Sequence, residues 1–104
     1  MLIDMDEEGK DKVDYSLLPW PVLEGAARAM QHGAKKYSAF GWLEVAEWRV
    51  SYFNALMRHV LTWWGTDEEL DQESGLHHLD HALACLMILR ARVLLDAETK
   101  KGDT

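Results

Sequence analysis

The segment Asp71–His81 carries the densest set of side chains that could do chemistry. Three histidines and three carboxylates fall within its 11 residues, Asp71-Gln72-Glu73-Ser74-Gly75-Leu76-His77-His78-Leu79-Asp80-His81. On a helix, His81 lies one turn from both His77 and His78, so these imidazoles could bind a metal ion in pairs. The alternative is an acid-rich helix start, whose carboxylates stabilise the helix dipole and whose histidines form ordinary hydrogen bonds.

A second carboxylate pattern offers a different metal site. Glu44-x-x-Glu47 is followed by Glu68-x-x-Asp71. This spacing resembles the ExxE…ExxD pattern of MazG-like all-α NTP pyrophosphohydrolases, in which four carboxylates hold Mg²⁺. Glu44 and Glu68 fall in or beside predicted loops, and an acid-rich chain produces such a match easily by chance. Whether Glu44, Glu47 and Glu68 take part in metal binding therefore stays open at this point.

The middle of the chain offers the opposite charge. The whole chain has 11 basic and 18 acidic residues and a formal net charge of −7, but residues 28–58 carry a local surplus of base. There, Lys35 and Lys36 adjoin Tyr37 and precede Trp42, a combination suited to phosphate contact and base stacking. Lys35 and Lys36 could also simply be a solvated helix end. In the same way, Arg58 is either a phosphate clamp or a surface cation with a buried stem.

Length and composition restrict the class of protein. The chain of 104 residues fits one domain. Its acidity argues against binding to duplex nucleic acid, which requires a basic surface. The apolar run Ala82–Leu89 is too short to span a bilayer, and its single cysteine, Cys85, is interpreted as a small buried hydrophobe. We expect a soluble cytoplasmic protein, because the acid-rich N-terminal residues do not resemble a secretory signal.

The elements that must position these residues are helical. Apolar spacing predicts three helices. The first covers about residues 20–37, the second ends at Gly65, and the third runs from an N-capping Ser74 to about residue 97. The second helix carries the clearest core-facing stripe, Phe53, Leu56, Met57, Val60, Leu61 and Trp64. The third is expected to bury Leu76, Leu79, Leu83, Leu86 and Met87.

The expected fold class is all-α, a small antiparallel bundle of about three main helices. Residues 1–16 are interpreted as a polar arm, 17–97 as a single helical domain and 98–104 as a polar tail. Three helices of unequal length give a thin core, and five tryptophans exceed what that core needs. We therefore expect homo-oligomerisation, with apolar helix faces shared between chains.

Several motifs occur together in one order. The series reads Leu17-Leu18-Pro19, Gly33-Ala34-Lys35-Lys36-Tyr37, Gly41-Trp42, Tyr52-x-x-Ala55-x-x-Arg58-His59 and Asp71-x-Glu73-Ser74-Gly75-Leu76-x-His78-Leu79-x-His81-Ala82. This series, which covers about residues 12–90, resembles the phage-type family named for dATP/dGTP diphosphohydrolase (N-terminal type), small helical proteins common in bacteriophages and prophages. A relation to the MazG-like enzymes is considered as well.

The resemblance implies metal-dependent cleavage of purine deoxynucleoside triphosphates to a monophosphate and pyrophosphate. In this hypothesis the divalent metal (Mg²⁺, Mn²⁺ or Co²⁺) is held by Asp71, Glu73, His78 and His81. The expected catalytic groups are Glu73 and His59, the latter as an additional ligand or an acid–base group. The nucleotide would contact Lys35, Lys36, Tyr37, Trp42, Tyr52 and Arg58.

The alternatives are not enzymes. One is a non-catalytic sponge that sequesters a linear or cyclic nucleotide signal of host anti-phage defence; it needs the cations and aromatic residues but no metal. The other is a structural or interaction protein that uses a tryptophan-rich surface.

Overall fold

Three α-helices make up most of the described part of the protein. The computed structural model describes residues 12–102. Helix α1 spans Trp20–Lys36, α2 spans Trp48–Gly65 and α3 spans His78–Gly102. Short 3₁₀ turns occur at Tyr15–Leu17 and Gly41–Leu43. The described part of the chain contains no strand beyond an isolated bridge between Leu70 and His77, so the all-α prediction is confirmed.

Helix α3 is the central helix of the fold. It packs most extensively against α2 and also against α1. His78, at the start of α3, contacts His59 in α2, while Arg92 reaches Trp48 at the other end of α2. These two contacts make α2 and α3 antiparallel, as the short connector predicts.

Small residues allow α1 to approach α3 closely. Ala26 and Ala29 of α1 are buried, as are Ala82 and Ala84 of α3. At Gly25 the approach is so close that an added Cβ would lie 2.3 Å from the Asp80 Oδ1 atom. Packing therefore requires glycine at position 25, because the start of α3 lies directly against the backbone of α1.

The helix boundaries differ from the sequence prediction mainly at α3. This helix begins at His78 rather than at Ser74 and continues to Gly102, beyond the predicted end near residue 97. Gly75 adopts a left-handed φ of 75°, which ends any helical path through Ser74. The polar arm expected over 1–16 falls largely on residues 1–11, outside the described residues.

The core is thinner than the apolar stripes predict. Within residues 12–102, no large side chain is fully buried. Phe53, Leu61 and Trp64 of the α2 stripe keep 51%, 56% and 77% of their surface exposed. Leu79, Leu86 and Met87 of α3 are exposed too, so the prediction that they face the core of the chain is wrong. The α3 positions that are buried are His78, Ala82, Ala84 and Ile88.

The described residues also bear on membrane insertion. Between residues 12 and 102, no helix is both long enough and apolar enough to cross a bilayer.

Candidate metal and nucleotide site

The connector between α2 and α3 is closed by its own hydrogen bonds. The Asp71 amide donates to the Leu76 carbonyl at 2.8 Å, and the Gly75 amide donates to the Asp71 carbonyl at 2.8 Å. The Asp71 carboxylate accepts from the Ser74 amide at 2.9 Å. Because Gly75 permits the left-handed turn, the connector folds back and presents Asp71 and Ser74 to the first turns of α3.

His77 immediately precedes α3, and its side chain contacts Glu69 rather than the other histidines of the site. Its Nδ1 atom accepts a hydrogen bond from the Leu79 amide at 3.0 Å, which is the position of an N-cap acceptor. Its Nε2–H therefore donates to the Glu69 carboxylate at 2.6 Å, and Trp63 Nε1–H donates to the same carboxylate oxygen at 3.0 Å. His77 thus has a structural role that the sequence spacing does not reveal.

His59, Asp71 and His78 form the one group among the described residues with metal-binding spacing. Each offers one ligand atom, and the three atoms lie within 4.8 Å of one another. The Nδ1 atoms of His59 and His78 are 2.9 Å apart, and the His78 ring is buried. The Nε2 atom of His78 lies 3.2 Å from a Glu68 carboxylate oxygen, which can only accept from it. In neutral His78 the Nδ1 atom consequently carries the lone pair and faces His59.

This donor set fits a divalent cation of intermediate softness. A tetrahedral shell with imidazole and carboxylate ligands places neighbouring donor atoms about 3.3 Å apart. The three donor atoms of this group lie within 4.8 Å of one another, with the two Nδ1 atoms at 2.9 Å. Two nitrogens and one oxygen suit Zn²⁺, Co²⁺ or Mn²⁺ better than Mg²⁺, which prefers oxygen ligands. Glu68 completes the arrangement, since metal-binding histidines commonly donate their other N–H to a carboxylate.

His81 lies beside this group. Its ring stacks on His59 with centroids 4.6 Å apart, and its Nε2 atom is 2.6 Å from the Ser74 hydroxyl oxygen. The same Nε2 atom is 3.9 Å from the Asp71 carboxylate. His32 of α1 approaches His81 edge-on at 6.0 Å. His81 therefore lies between the metal-binding group and His32 of α1.

Burial sets the protonation of this cluster. It lowers the pKa of His59 and of His81 below the ordinary value of 6.5, with neighbouring histidines adding to the effect for both rings. Partial burial opposes ionisation of Asp71, but hydrogen bonds from Ser74 outweigh it and the Asp71 pKa falls below 3.8. At neutral pH the cluster therefore presents neutral His59 and His81 imidazoles beside a carboxylate, the forms that bind metal ions and accept protons.

A large cleft opens on one side of the cluster. Its volume is about 1140 Å³, enough for a nucleotide. His59, Asp71 and His81 line it together with five of the predicted nucleotide contacts, Lys36, Tyr37, Trp42, Tyr52 and Arg58. A smaller cavity of about 340 Å³ lies against Glu68 and His78 and shares Arg58, His59 and Asp71 with the cleft.

Glu73 and Lys35, two residues of the predicted site, lie apart from the metal-binding group. The Glu73 carboxylate is exposed and pairs with the Lys36 ammonium at 2.7 Å, across the mouth of the cleft. Lys36 also lies over the Tyr37 ring at 5.4 Å. Lys35 is exposed and does not line the cleft. The predicted metal and catalytic roles of Glu73, and the contact by Lys35, stay predictions.

The four-carboxylate pattern is divided in space. Asp71 belongs to the metal-binding group and Glu68 contacts its ligand His78. Glu44 follows the Gly41–Leu43 turn and lines the cleft, while Glu47 is exposed immediately before α2. The histidine-rich group, rather than the four carboxylates, therefore carries the metal-binding geometry.

Sequence reasoning missed two contributors to the site, His32 and Arg92, and assigned the wrong role to a third, Ser74. His32 reaches the cleft from α1, Ser74 bonds His81 instead of capping a helix, and Arg92 binds the backbone of the segment that carries Trp42. The Ser74-Gly75 pair was the available signal for a turn. His32 and Arg92 gave no signal, because their contacts depend on how the helices pack.

Comparison with known proteins supports the motif resemblance. A family model described as dATP/dGTP diphosphohydrolase, N-terminal, matches residues 4–102. No curated protein and no solved structure shows significant similarity to the chain. The match includes all three helices, the cleft and the histidine cluster, and so the chain belongs to the dATP/dGTP diphosphohydrolase N-terminal family.

Proposed function

We propose that this protein is a metal-dependent pyrophosphohydrolase of purine deoxynucleoside triphosphates. The observation that carries the proposal is the position of the His59, Asp71 and His78 group, which opens onto a cleft that also contains cationic and aromatic side chains. The family description supports the substrate class. The reaction is attack of water on the α-phosphorus: a P–O bond forms, the α–β bridging P–O bond breaks, and pyrophosphate leaves.

The cation in this proposal is bound by His59, Asp71 and His78. When bound, it would neutralise phosphate charge and lower the pKa of a coordinated water. Glu68 keeps the N–H of His78 on Nε2, so that Nδ1 is free to act as a ligand. Glu68 thereby fixes the tautomer of His78 that a cation requires, whereas His59 would release its Nδ1 proton on binding.

The rest of the cleft binds the nucleotide. Lys36 and Arg58 supply positive charge for the phosphates, and Tyr37, Trp42 and Tyr52 supply rings for the base. Phosphate oxygens would replace Glu73 as the partner of Lys36. An ammonium already positioned at the mouth of the cleft would then neutralise part of the triphosphate charge.

We assign the proton transfer to His81. It lies next to the metal-binding group but makes its short contact with Ser74, and its lowered pKa keeps the ring neutral near pH 7. A neutral imidazole can accept a proton from the attacking water. The Ser74 hydroxyl orients the His81 ring, since it also accepts from the Leu76 amide at 3.1 Å and is thereby fixed in place.

We also propose that the chain forms homo-oligomers. The exposed side chains Val50, Phe53, Leu61 and Trp64 recur on one side of α2. Single exposed apolar residues are ordinary, but a row along a whole helix is typical of an interface. A second copy would bury the row and thicken the core.

Product analysis tests the activity. Purified protein is incubated with each dNTP and Mg²⁺, Mn²⁺ or Co²⁺, and pyrophosphate and monophosphate are quantified. We expect dATP and dGTP each to give pyrophosphate and monophosphate in equal amounts. This release should be lost with EDTA and in His78→Ala. His77→Ala is the matched control, because His77 lies outside the cluster. No pyrophosphate with any metal would contradict the proposal, and an intact nucleotide that copurifies despite EDTA would favour the sponge.

A further inference from the structure

Arg92 of α3 binds the backbone of the segment between α1 and α2, which lines the cleft. The Arg92 Nη1 atom donates toward the carbonyl oxygens of Trp42, Leu43 and Val45 at 3.0, 2.9 and 3.4 Å. These partners lie between 47 and 50 residues earlier in the chain. The guanidinium also lies over the buried Trp48 ring, with its carbon 5.1 Å from the ring centroid. Arg92 thus links α3 to the segment between α1 and α2 and to the first residue of α2.

This segment has little else to fix it. Between Tyr37 and Glu47 the only helical element is the 3₁₀ turn Gly41–Leu43, which Phe40 enters with a left-handed φ of 58°. Phe40 is largely exposed and gives the segment little apolar burial. The carbonyls at the end of a helical turn lack partners within it, so a charged donor satisfies several of them at once.

The segment forms one wall of the nucleotide cleft. Trp42 lines the cleft from within the 3₁₀ turn, and Tyr37 lines it from the end of α1. Stacking on an aromatic side chain requires the ring to stay at a fixed distance and tilt. The backbone of Trp42 is the atom group that Arg92 binds, and so the position of the Trp42 ring depends on a residue that does not itself line the cleft.

We propose that Arg92 is a positioning residue for recognition of the nucleotide base. It fixes the segment Gly41–Val45 against α3 so that Trp42 is ready to stack on the base. The inference rests on the proposed function for the identity of the ligand. It does not involve the metal-binding group, which is built from α2, the connector and the start of α3.

Trp48 provides a matched control for this role. Its ring has a second arginine near it, since the Arg49 guanidinium carbon lies 5.3 Å from the centroid. Arg49 is exposed and is not among the side chains that line the cleft. Arg49→Ala therefore removes a cation from the same ring without removing the three carbonyl contacts. Arg92→Lys keeps a donor for carbonyls but loses the planar stacking on Trp48.

The test combines nucleotide affinity with backbone exchange. Dissociation constants for a non-hydrolysable dATP analogue and for Co²⁺ are measured by calorimetry in wild type, Arg92→Ala, Arg92→Lys and Arg49→Ala. Arg92→Ala is expected to weaken nucleotide binding at least about fivefold, with Co²⁺ affinity unchanged. Arg92→Lys should recover most of the loss, and Arg49→Ala should stay within about twofold of wild type. Hydrogen exchange of the Leu43 and Glu44 amides should accelerate in Arg92→Ala alone.

The outcomes separate this inference from the proposed function. Unchanged nucleotide affinity in Arg92→Ala, or an equal loss in Arg49→Ala, would overturn the positioning role. So would exchange of the Leu43 and Glu44 amides that does not differ from wild type. If the unaltered chain bound no nucleotide, the proposed function would fail, and the exchange measurement would still decide whether Arg92 fixes the segment. Unchanged Co²⁺ affinity in Arg92→Ala shows that a misfolded variant is not the cause of the loss.

Discussion

The Nδ1 atoms of His59 and His78 face each other at 2.9 Å between α2 and the first turn of α3. Since Glu68 holds the proton of His78 on Nε2, one lone pair at this contact belongs to His78. In the absence of a cation, the N–H of His59 satisfies it. A metal ion would take the place of that proton, so that metal binding and deprotonation of His59 Nδ1 are one event.

The metal preference follows from the donor atoms. Co²⁺ and Zn²⁺ are expected to bind more tightly than Mg²⁺, because two imidazole nitrogens accompany one carboxylate. His59→Ala and His78→Ala should each weaken Co²⁺ binding at least about 100-fold, the upper end of what loss of a ligand's supporting partner costs. Visible absorption of Co²⁺ measures both affinity and coordination. The matched variant His77→Ala should retain the spectrum, and tight Mg²⁺ binding would count against the assignment.

The Lys36–Glu73 ion pair leads to a second prediction. Glu73→Gln removes a charge that competes with phosphate for the Lys36 ammonium. The pair is exposed, so nucleotide binding should tighten by up to about fivefold. Calorimetry with a non-hydrolysable dATP analogue measures the change. If Glu73 is instead a metal ligand, as the sequence motif predicts, the same variant loses Co²⁺ affinity and the two roles are distinguished directly.

Two glycines of α1 should respond oppositely to the same substitution. Nothing lies within 4 Å of a Cβ added at Gly33, so Gly33→Ala should stabilise the fold by about 0.5–1 kcal/mol through helix propensity. At Gly25 the added Cβ would meet the Asp80 carboxyl group at 2.3–2.7 Å, and Gly25→Ala should destabilise by about 1–3 kcal/mol.

Urea unfolding of both variants measures this difference. Adding Asp80→Ala to Gly25→Ala should restore most of the lost stability, because the carboxyl group is the obstacle. No rescue by Asp80→Ala would show that the Asp80 carboxyl group is not what requires glycine at position 25. A destabilised Gly33→Ala would contradict the open space around Gly33.

These contacts show what the sequence could and could not reveal. The apolar period located α1 closely, at 20–37 against Trp20–Lys36, and Gly65 marks the end of α2 as predicted. The start of α3 was misplaced because a serine followed by an acidic and histidine-rich helix is typical of an N-cap. In the structure the Ser74 hydroxyl instead faces the Leu76 amide and His81 inside the turn.

The choice among the histidines lay beyond sequence reasoning for a similar reason. His77 and His78 are adjacent and equivalent in type, and their roles differ because His77 accepts the Leu79 amide at the helix start. One residue of rotation around the helix then sends His78 toward His59. Glu73 shares the segment with Asp71 but points to Lys36, which depends on the path of the connector and not on spacing.

The stability of the metal-free protein should fall in mild acid. Burial lowers the pKa of His59 and His81 below 6.5 in the folded state, so the unfolded chain takes up protons first as the pH falls below about 6.5. Stability from these residues is complete above that pH and is lost as the pH decreases toward their folded pKa values. The carboxylates with lowered pKa, such as Asp71, lose their contribution only nearer their unfolded value of 3.8.

Unfolding in urea with EDTA between pH 5 and 8 checks this sign. The free energy of unfolding should decline between about pH 6.5 and 5, and the double variant His59→Asn, His81→Asn should flatten the decline. If the free energy of unfolding instead rose as the pH decreased over this interval, the two rings would be charged in the folded protein.

Self-association can be tested on the exposed row of α2. Light scattering should report more than one copy at micromolar concentration, since Phe53 and Trp64 are exposed on the same side of the helix. Phe53→Lys together with Trp64→Lys should give a monomer of about 12 kDa with a lower melting temperature, because the charges oppose burial of that side. Val22→Lys, on α1 and also exposed, is the control and should leave the assembly intact. A monomeric wild type would contradict the proposed oligomer.

The contact between His59 and His78 spans only 19 residues of chain. Loop closure over so short a distance is rapid and costs little entropy, whereas α1 must dock against α3 across more than 40 residues. The hairpin of α2 and α3 can therefore assemble before α1 arrives, and with it the donors for a cation. The short sequence separation of His59 and His78 therefore favours formation of the metal-binding geometry before formation of the cleft.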